Sequence, residues 1–305
     1  MSHGQSNYIN FNPKKPIAVI GAGVMGTKVA WSCARVGIET RLYDIERGKA
    51  QLSADHACTW SVGKELKNIQ NFLKTPESLQ ETLADVQLVH ENVPEVLDTK
   101  QSVYKQLSTH LHFGAFISTN ASAFTCSQLA SATDRPERFF NLNFSDPRFS
   151  KLVELMVSDL AAIETVKFAV EWAQAIKMVV VHTKKEQQGY IMNRIWRVIK
   201  KEVLRQIEDG YASAQDIDRA WMLAFGTRMG PCGLMDDVGL NSILSIEQVY
   251  YSQSGNDDDK PVNFLIKLVE NGKLGSHSGS GFYTYPNPEY NDPDFITFDK
   301  KKINT

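Results

Sequence analysis

Short apolar runs alternate with longer amphipathic stretches over the first 184 residues of this chain. The runs Pro16–Ile20, Glu39–Tyr43, Val86–His90, Ala115–Thr119, Phe139–Phe144 and Met178–His182 predict strands, separated by segments long enough to hold helices. That alternation predicts a parallel sheet with helices on both faces. Beyond Lys184 the strand-like runs stop. Gly189 to Ile207 places apolar residues at helical spacing among Lys, Arg and Glu. Ser213-Ala214-Gln215-Asp216 has the form of a capping box opening another helix, and Gly230-Pro231 breaks the chain before a third apolar stretch. The pattern therefore predicts an α/β domain over residues 1–184 and an all-helical domain over 185–305. Between Asp44 and Val86 it predicts a single helical excursion, which includes Lys64 and Lys67. The polar ends, residues 1–14 and 287–305, are expected to be poorly ordered.

The first predicted strand runs into Gly21-Ala22-Gly23-Val24-Met25-Gly26, which opens a helix reaching about Arg35, and Gly37 supplies its left-handed end. Asp44 closes the second strand, 18 residues after Gly26. A glycine motif alone is weak, but strand, motif, helix and acidic residue in this order form a dinucleotide-binding fingerprint. Gly21 permits the tight turn, Gly23 lets the backbone approach a pyrophosphate, and Gly26 lets helix pack on strand. The free N–H groups of the helix start then face the phosphates. Asp44 is placed to accept from both ribose hydroxyls, which favours NAD over NADP, although Arg47 is near enough to pair with a phosphate. The alternative is a ligand-free turn with a solvated Asp44. The fold class expected is thus a Rossmann-type, doubly wound parallel sheet followed by the helical C-terminal domain.

Composition narrows the partners. The 33 basic residues are dispersed and offset by 35 acidic ones, for a net charge of −2, so no basic footprint for nucleic acid is present. The run Asp257-Asp258-Asp259 reads as a solvated loop. Cys33, Cys58, Cys126 and Cys232 lie far apart without a CxxC pair, which suggests neither a disulfide framework nor a metal site. No segment has the length and apolarity of a secretory signal or a membrane span, so the expected location is the cytoplasm, away from membranes.

Several distant segments together resemble the 3-hydroxyacyl-CoA dehydrogenase family, from about residue 15 to residue 286. They are Ile20 to Gly26, Glu91-Asn92-Val93-Pro94-Glu95, Ser118-Thr119-Asn120-Ala121-Ser122, Leu152-Val153-Glu154 and Gly189-Tyr190-Ile191-Met192-Asn193-Arg194. Gly230-Pro231, Asp236 to Leu240 and Gly279-Ser280-Gly281-Phe282-Tyr283 complete the set. The resemblance implies NAD as cofactor, a small acyl substrate as free acid or thioester, and a homodimer formed through the helical domain. It assigns Glu91 and Lys100 to the nicotinamide side of the cleft. Val24 and Met25 on the first helical turn, and Asn120 in the third segment, join them as cofactor-binding residues. Ser122 and Asn193 match polar groups that contact the reacting oxygen, and Glu154 matches the carboxylate that orients the catalytic histidine.

The histidine itself is missing. Where the family reads His-Phe-Phe-Asn-Pro, this chain reads Asn143-Phe144-Ser145-Asp146-Pro147, with Glu154 eleven residues after Asn143. An amide hydrogen-bonds an alcohol or carbonyl oxygen but does not usefully accept a proton near pH 7, whereas an imidazole does. Three functions fit: an NAD-dependent oxidoreductase of 3-hydroxy or 3-oxo acyl compounds with proton transfer rerouted through Asp146, Glu154 or a water; a non-redox enzyme on the same scaffold; or an inactive NAD-binding protein with a structural or sensing role. None of the other histidines is an evident substitute, and His90, beside Glu91 at a strand end, reads as an imidazole packed at a sheet edge.

Overall fold

A computed structural model of the chain describes residues 10–297. Eight strands are present: β1 (Ile17–Ile20), β2 (Thr40–Tyr43), β3 (Leu73–Lys74), β4 (Leu88–Glu91), β5 (Phe116–Thr119), β6 (Phe139–Phe144), β7 (Leu152–Met156) and β8 (Val179–His182). The helices of the same region are α1 (Val24–Ala34), α2 (Lys49–Cys58), α3 (Gly63–Phe72), α4 (Leu79–Leu83), α5 (Leu97–His110), α6 (Cys126–Ala130) and α7 (Ile163–Ala175). Then follow α8 (Met192–Glu208), α9 (Ala214–Phe225), α10 (Pro231–Val238), α11 (Leu240–Ser254) and α12 (Asn263–Glu270). The chain divides into two compact units, Met1–Ile191 and Met192–Thr305, whereas the sequence pattern placed the change of architecture after Lys184.

In the first unit the strands lie in the order β3-β2-β1-β4-β5-β6-β7-β8. The order reverses direction at β1, where the loops leaving β1 and β4 part and leave a crevice at the strand ends. Successive residues of each strand point to opposite faces. Ile17 and Val19 join the core beneath α1, α2, α3 and α7, while Ala18 and Ile20 join the core beneath α4, α5 and α6. Covering both faces is what lets these strands be apolar at nearly every position.

Four expectations need correction. The sheet is not wholly parallel: β7, which the apolar pattern did not separate as a strand, runs antiparallel to β6, and β8 follows β7. The stretch from Asp44 to Val86 holds three helices, α2, α3 and the short α4, with β3 between the second and third, and not one excursion. The ends are packed where described: Phe11 is buried against Phe168, with ring centroids 5.6 Å apart, and Tyr290 and Phe295 are buried in the core of the second unit. Residues 1–9 and 298–305 lie outside the described residues. Finally, in the 3₁₀ turn Asp257–Asp259 the first two carboxylates are exposed as expected, but Asp259 receives Arg197 at 2.8 Å and Lys201 at 2.6 Å, both from α8.

The second unit is helical, and Ser213 does cap α9, accepting from the Asp216 amide at 3.1 Å. Two buried carboxylates organise it. Asp218 accepts from Cys232 N, Gly233 N and Tyr283 Oη, and Asp236 accepts from Phe282 N, Tyr283 N and Tyr285 Oη. A Cβ on Gly281 would overlap the Asp236 carboxylate, which explains why the Gly279–Tyr283 segment and Asp236 occur together.

Candidate active site and cofactor cleft

The glycine loop is shaped by close contacts. Gly21 sits at φ +96°, and a Cβ there would come within 2.7 Å of the Asn92 carbonyl oxygen. A Cβ on Gly26 would overlap the Gly21 carbonyl, whereas one on Gly23 would meet nothing within 4 Å. Gly21 and Gly26 are therefore demanded by the fold itself. Gly23 is not, and the open space it leaves is where a backbone approaches a phosphate. The loop is braced by Gly21 N donating to Tyr43 O at 2.8 Å, Ser53 Oγ to Ala22 O at 2.9 Å and Thr27 Oγ1 to Gly23 O at 2.8 Å. Val24 and Met25 form the first turn of α1, Val24 being exposed.

Beside the loop lies a cleft of about 800 Å³ whose lining includes Gly21, Gly23, Asp44, Asn92, Val93 and Val103. Asp44 at the end of β2 accepts from Ala22 N at 2.8 Å and Glu46 N at 3.0 Å, and Lys49 Nζ stands 3.4 Å away. It is thus fixed to the glycine loop and faces the same cleft. An open Gly23, a helix start, a cleft of this size and a carboxylate at the second strand's end together fit a dinucleotide carrying free ribose hydroxyls.

Glu91 and Lys100 turn out differently from the expectation that they line the cleft. Both are fully buried, and Lys100 Nζ reaches the Glu91 oxygens at 2.9 and 3.2 Å. Glu91 also accepts from Val93 N, Tyr104 Oη and Thr119 Oγ1. Their carboxylate and ammonium are consumed by each other and by neighbours, so they act by holding the strand ends. The reach continues through Glu95, which the sequence reading quoted but gave no role: Lys100 Nζ lies 3.1 Å from Glu95 Oε2, while Glu95 Oε1 accepts from Ser122 N and Ala123 N, each at 2.7 Å. One carboxylate thereby pins the loop that carries Ser122. Acidic character four residues after a strand-ending glutamate was the available signal.

Asn120 is a brace between loop and strand. Its carbonyl accepts from Asn143 Nδ2 at 3.1 Å, its Oδ1 accepts from Phe144 N at 2.8 Å, and its own N–H donates to Glu91 O at 2.9 Å. Asn143 is half-buried near the end of β6, and its register partner on β7 is Glu154. Directly opposed residues of an antiparallel pair share one face, with Cβ atoms about 4.5–5.5 Å apart. Glu154 is buried, and its Oε1 accepts from Ile191 N at 3.0 Å. Ser122 is half-buried, and its hydroxyl has no hydrogen-bond partner among the described residues. The structure therefore brings Ser122, Asn120, Asn143 and Glu154 into one neighbourhood of the first unit. Asn193 belongs to the second unit, exposed in the first turn of α8.

Asp146 does not qualify as a proton acceptor. Arg148 contacts it at 3.0 and 2.7 Å and Lys28 at 2.7 Å. Partial burial pushes its carboxyl up, but the hydrogen bonds from Arg148 and Lys28 outweigh that and hold it at about 2. His90 is no substitute either. It lies on the interior strand β4 and not at a sheet edge, its ring edge-on to Phe144 and Trp172 at 5.4 and 5.2 Å, with Nδ1 3.0 Å from Ser118 Oγ. Burial, helped by the Lys100 charge, lowers it to about 3 and keeps it neutral.

The family model for the 3-hydroxyacyl-CoA dehydrogenase NAD-binding domain matches residues 16–187, and that for the C-terminal domain matches residues 189–285. The chain belongs to the 3-hydroxyacyl-CoA dehydrogenase family. Its 3-hydroxyacyl-CoA dehydrogenase relatives include a 3-hydroxybutyryl-CoA dehydrogenase of Bradyrhizobium diazoefficiens, 33% identical over 89% of this chain and 95% of that one. A probable 3-hydroxybutyryl-CoA dehydrogenase of Bacillus subtilis is 29% identical over 89% and 97%. Among solved structures, M. tuberculosis FadB2 superposes with a TM-score of 0.81 at 26% identity, over 90% of this chain and all of that one. A diketoreductase gives the same TM-score, identity and coverage. As a member of this family the protein is an NAD-dependent dehydrogenase, and the glycine loop and Asp44 are the parts of its own structure that suit NAD. Among the described residues no helix is long and apolar enough to cross a membrane.

Proposed function

We propose that the protein oxidises or reduces a 3-hydroxy or 3-oxo acyl compound with NAD, using a site in which Asn143 stands where the family has its histidine. The observation that supports this reading is the β6–β7 register, which sets Asn143 opposite Glu154 and so keeps the carboxylate half of the family's pair. The bound dinucleotide supplies the hydride acceptor or donor. Asn143 spends one amide N–H on Asn120 O, which orients the group and leaves its second N–H for a substrate oxygen. The Ser122 hydroxyl is available to the same oxygen. An amide does not take the hydroxyl proton, so that proton passes to Glu154, the titratable group beside Asn143 in register. Asp146, already ionised and clamped by two cations, takes no part in proton transfer.

Exposed apolar side chains on the helical unit, among them Leu223, Phe225 and Val238, support a homodimer, which sedimentation would check. The function is tested by steady-state NADH consumption against a panel of 3-oxo acids and their thioesters, with NADH binding measured alongside. Turnover of a panel member supports the reading. Tight NADH binding with no turnover of any member would replace it with a non-catalytic NAD-binding protein.

A further inference from the structure

A second cavity, of about 520 Å³, lies on the α1 side of the glycine loop, and shares only Gly23 and Lys49 with the larger cleft. Its other lining residues include Lys28, Ser53, His56, Trp60 and Arg148. One wall carries a charge imbalance. Asp146 is a single carboxylate facing two cations, with Lys28 Nζ and Arg148 Nη2 both 2.7 Å from its Oδ2, and with Arg148 Nε and N on Oδ1 at 3.0 and 3.1 Å. The Lys28 side chain is only 12% exposed and that of Arg148 27%. A sheltered cation left half-neutralised is costly unless another anion arrives. The remaining lysine does not add to the imbalance, since Lys49 is taken by Asp44 at 3.4 Å and Glu46 at 3.3 Å.

The guanidinium is also poised. Arg148 lies 4.7 Å over the Trp60 ring, which fixes its plane, and its Nη1 has no hydrogen-bond partner among the described residues. With its Nε and Nη2 on Asp146, the guanidinium is held flat by the aromatic face and presents its Nη1 side to a further carboxylate or phosphate. Asp146 and Arg148 follow within four residues of Phe144, so one strand and its turn carry both this wall and the amide of Asn143.

We propose that this cavity takes an anionic group borne by the substrate, a carboxylate or a phosphate, on Arg148 and Lys28. The identity of that ligand as a substrate rests on the oxidoreductase reading above, whereas the binding itself does not. Asp146 then serves to hold the two cations together and oriented, and the incoming anion completes their neutralisation.

Calorimetric titration tests this with three probes: coenzyme A, free acetoacetate and the neutral N-acetylcysteamine thioester of acetoacetate. Each is titrated into the wild-type protein, Lys28→Met and Arg148→Gln. The expected result is at least about a tenfold loss of affinity for an anionic probe in both variants, with the neutral thioester and NADH unaffected. Loss confined to coenzyme A assigns the anion as a carrier phosphate; loss confined to acetoacetate assigns it as the substrate's own carboxylate. Equal affinity in all three proteins, no binding of either anionic probe, or an equal loss of NADH affinity would each overturn the proposal. Should a variant unfold, the wild type alone still decides, because affinity for the anion must fall as salt rises towards about 0.5 M and screens the pair. Since turnover is not the readout, anion binding without NADH consumption would sink the oxidoreductase reading and leave this one standing.

Discussion

Asn143 and Glu154 oppose each other across the antiparallel β6–β7 pair, close to the loop in which Asn120 accepts the Asn143 amide. This pairing gives a direct test of what the amide does. Asn143→His places an imidazole beside Glu154, and dehydrogenase activity on 3-hydroxyacyl substrates should rise on the order of 10²-fold if a general base is the missing element. Initial-rate assays with NAD measure it. A fall in activity would show that the amide is itself the working hydrogen-bond donor.

If Glu154 receives the proton, Glu154→Gln should lower kcat by about 10²-fold or more while KM for NAD changes little. An unchanged kcat would mean that Glu154 serves to fix Ile191 N and the strand pair.

Asp44→Ala should weaken NAD binding by about 1.5–3 kcal/mol if the carboxylate holds the ribose hydroxyls through charge-assisted hydrogen bonds. Calorimetry of NAD binding is the check, and an unchanged dissociation constant would make Asp44 solely a brace for Ala22 N.

Gly23 and Gly26 should separate binding from folding. A side chain at Gly23 has room in the fold but fills the phosphate approach, so Gly23→Ala should keep its melting temperature and lose NAD affinity. Gly26→Ala forces its Cβ onto the Gly21 carbonyl and should lower the melting temperature by several degrees. Equal melting temperatures for the two would contradict the geometry.

Acid stability should report the Asp146 clamp. Its carboxyl titrates at about 2 in the folded protein against an ordinary 3.8, so below pH 3.8 the unfolded chain binds the proton first. The clamp's contribution is therefore full above about pH 4 and is lost as pH falls through about 2. Urea unfolding between those limits should show a steeper decline for the wild type than for Asp146→Asn, and parallel curves would exclude the clamp.

What could be read from the linear chain was what short-range pattern encodes. The strand before Gly21, the helix after it and Asp44 closing β2 all lie within 30 residues, and each has a local signal. β7 was missed because Glu154 interrupts its apolar run, and the direction in which a strand runs leaves no trace in periodicity. The β6–β7 reversal, which sets Asn143 against Glu154, was accordingly invisible as geometry although both residues had been singled out. Glu91 and Lys100 were placed in the cleft by the family resemblance, which carries no information on what their side chains touch in this chain. Their mutual burial depends on a helix folding back over the strand. Asp259 looked as solvated as Asp257 and Asp258, which are exposed, because its cations come from α8, more than fifty residues earlier.

The glycine loop is tied to Tyr43, Asp44, Ser53 and Thr27 by hydrogen bonds of the protein's own. Ties of this kind favour a loop already shaped when the dinucleotide docks. A loop that must be ordered on association loses conformational entropy at that moment and gives up affinity; one already rigid does not. Weakening a tie that never touches the dinucleotide, such as Ser53, should therefore appear in the binding entropy more than in the enthalpy, and the cofactor should meet its site by docking into a finished mould instead of shaping one.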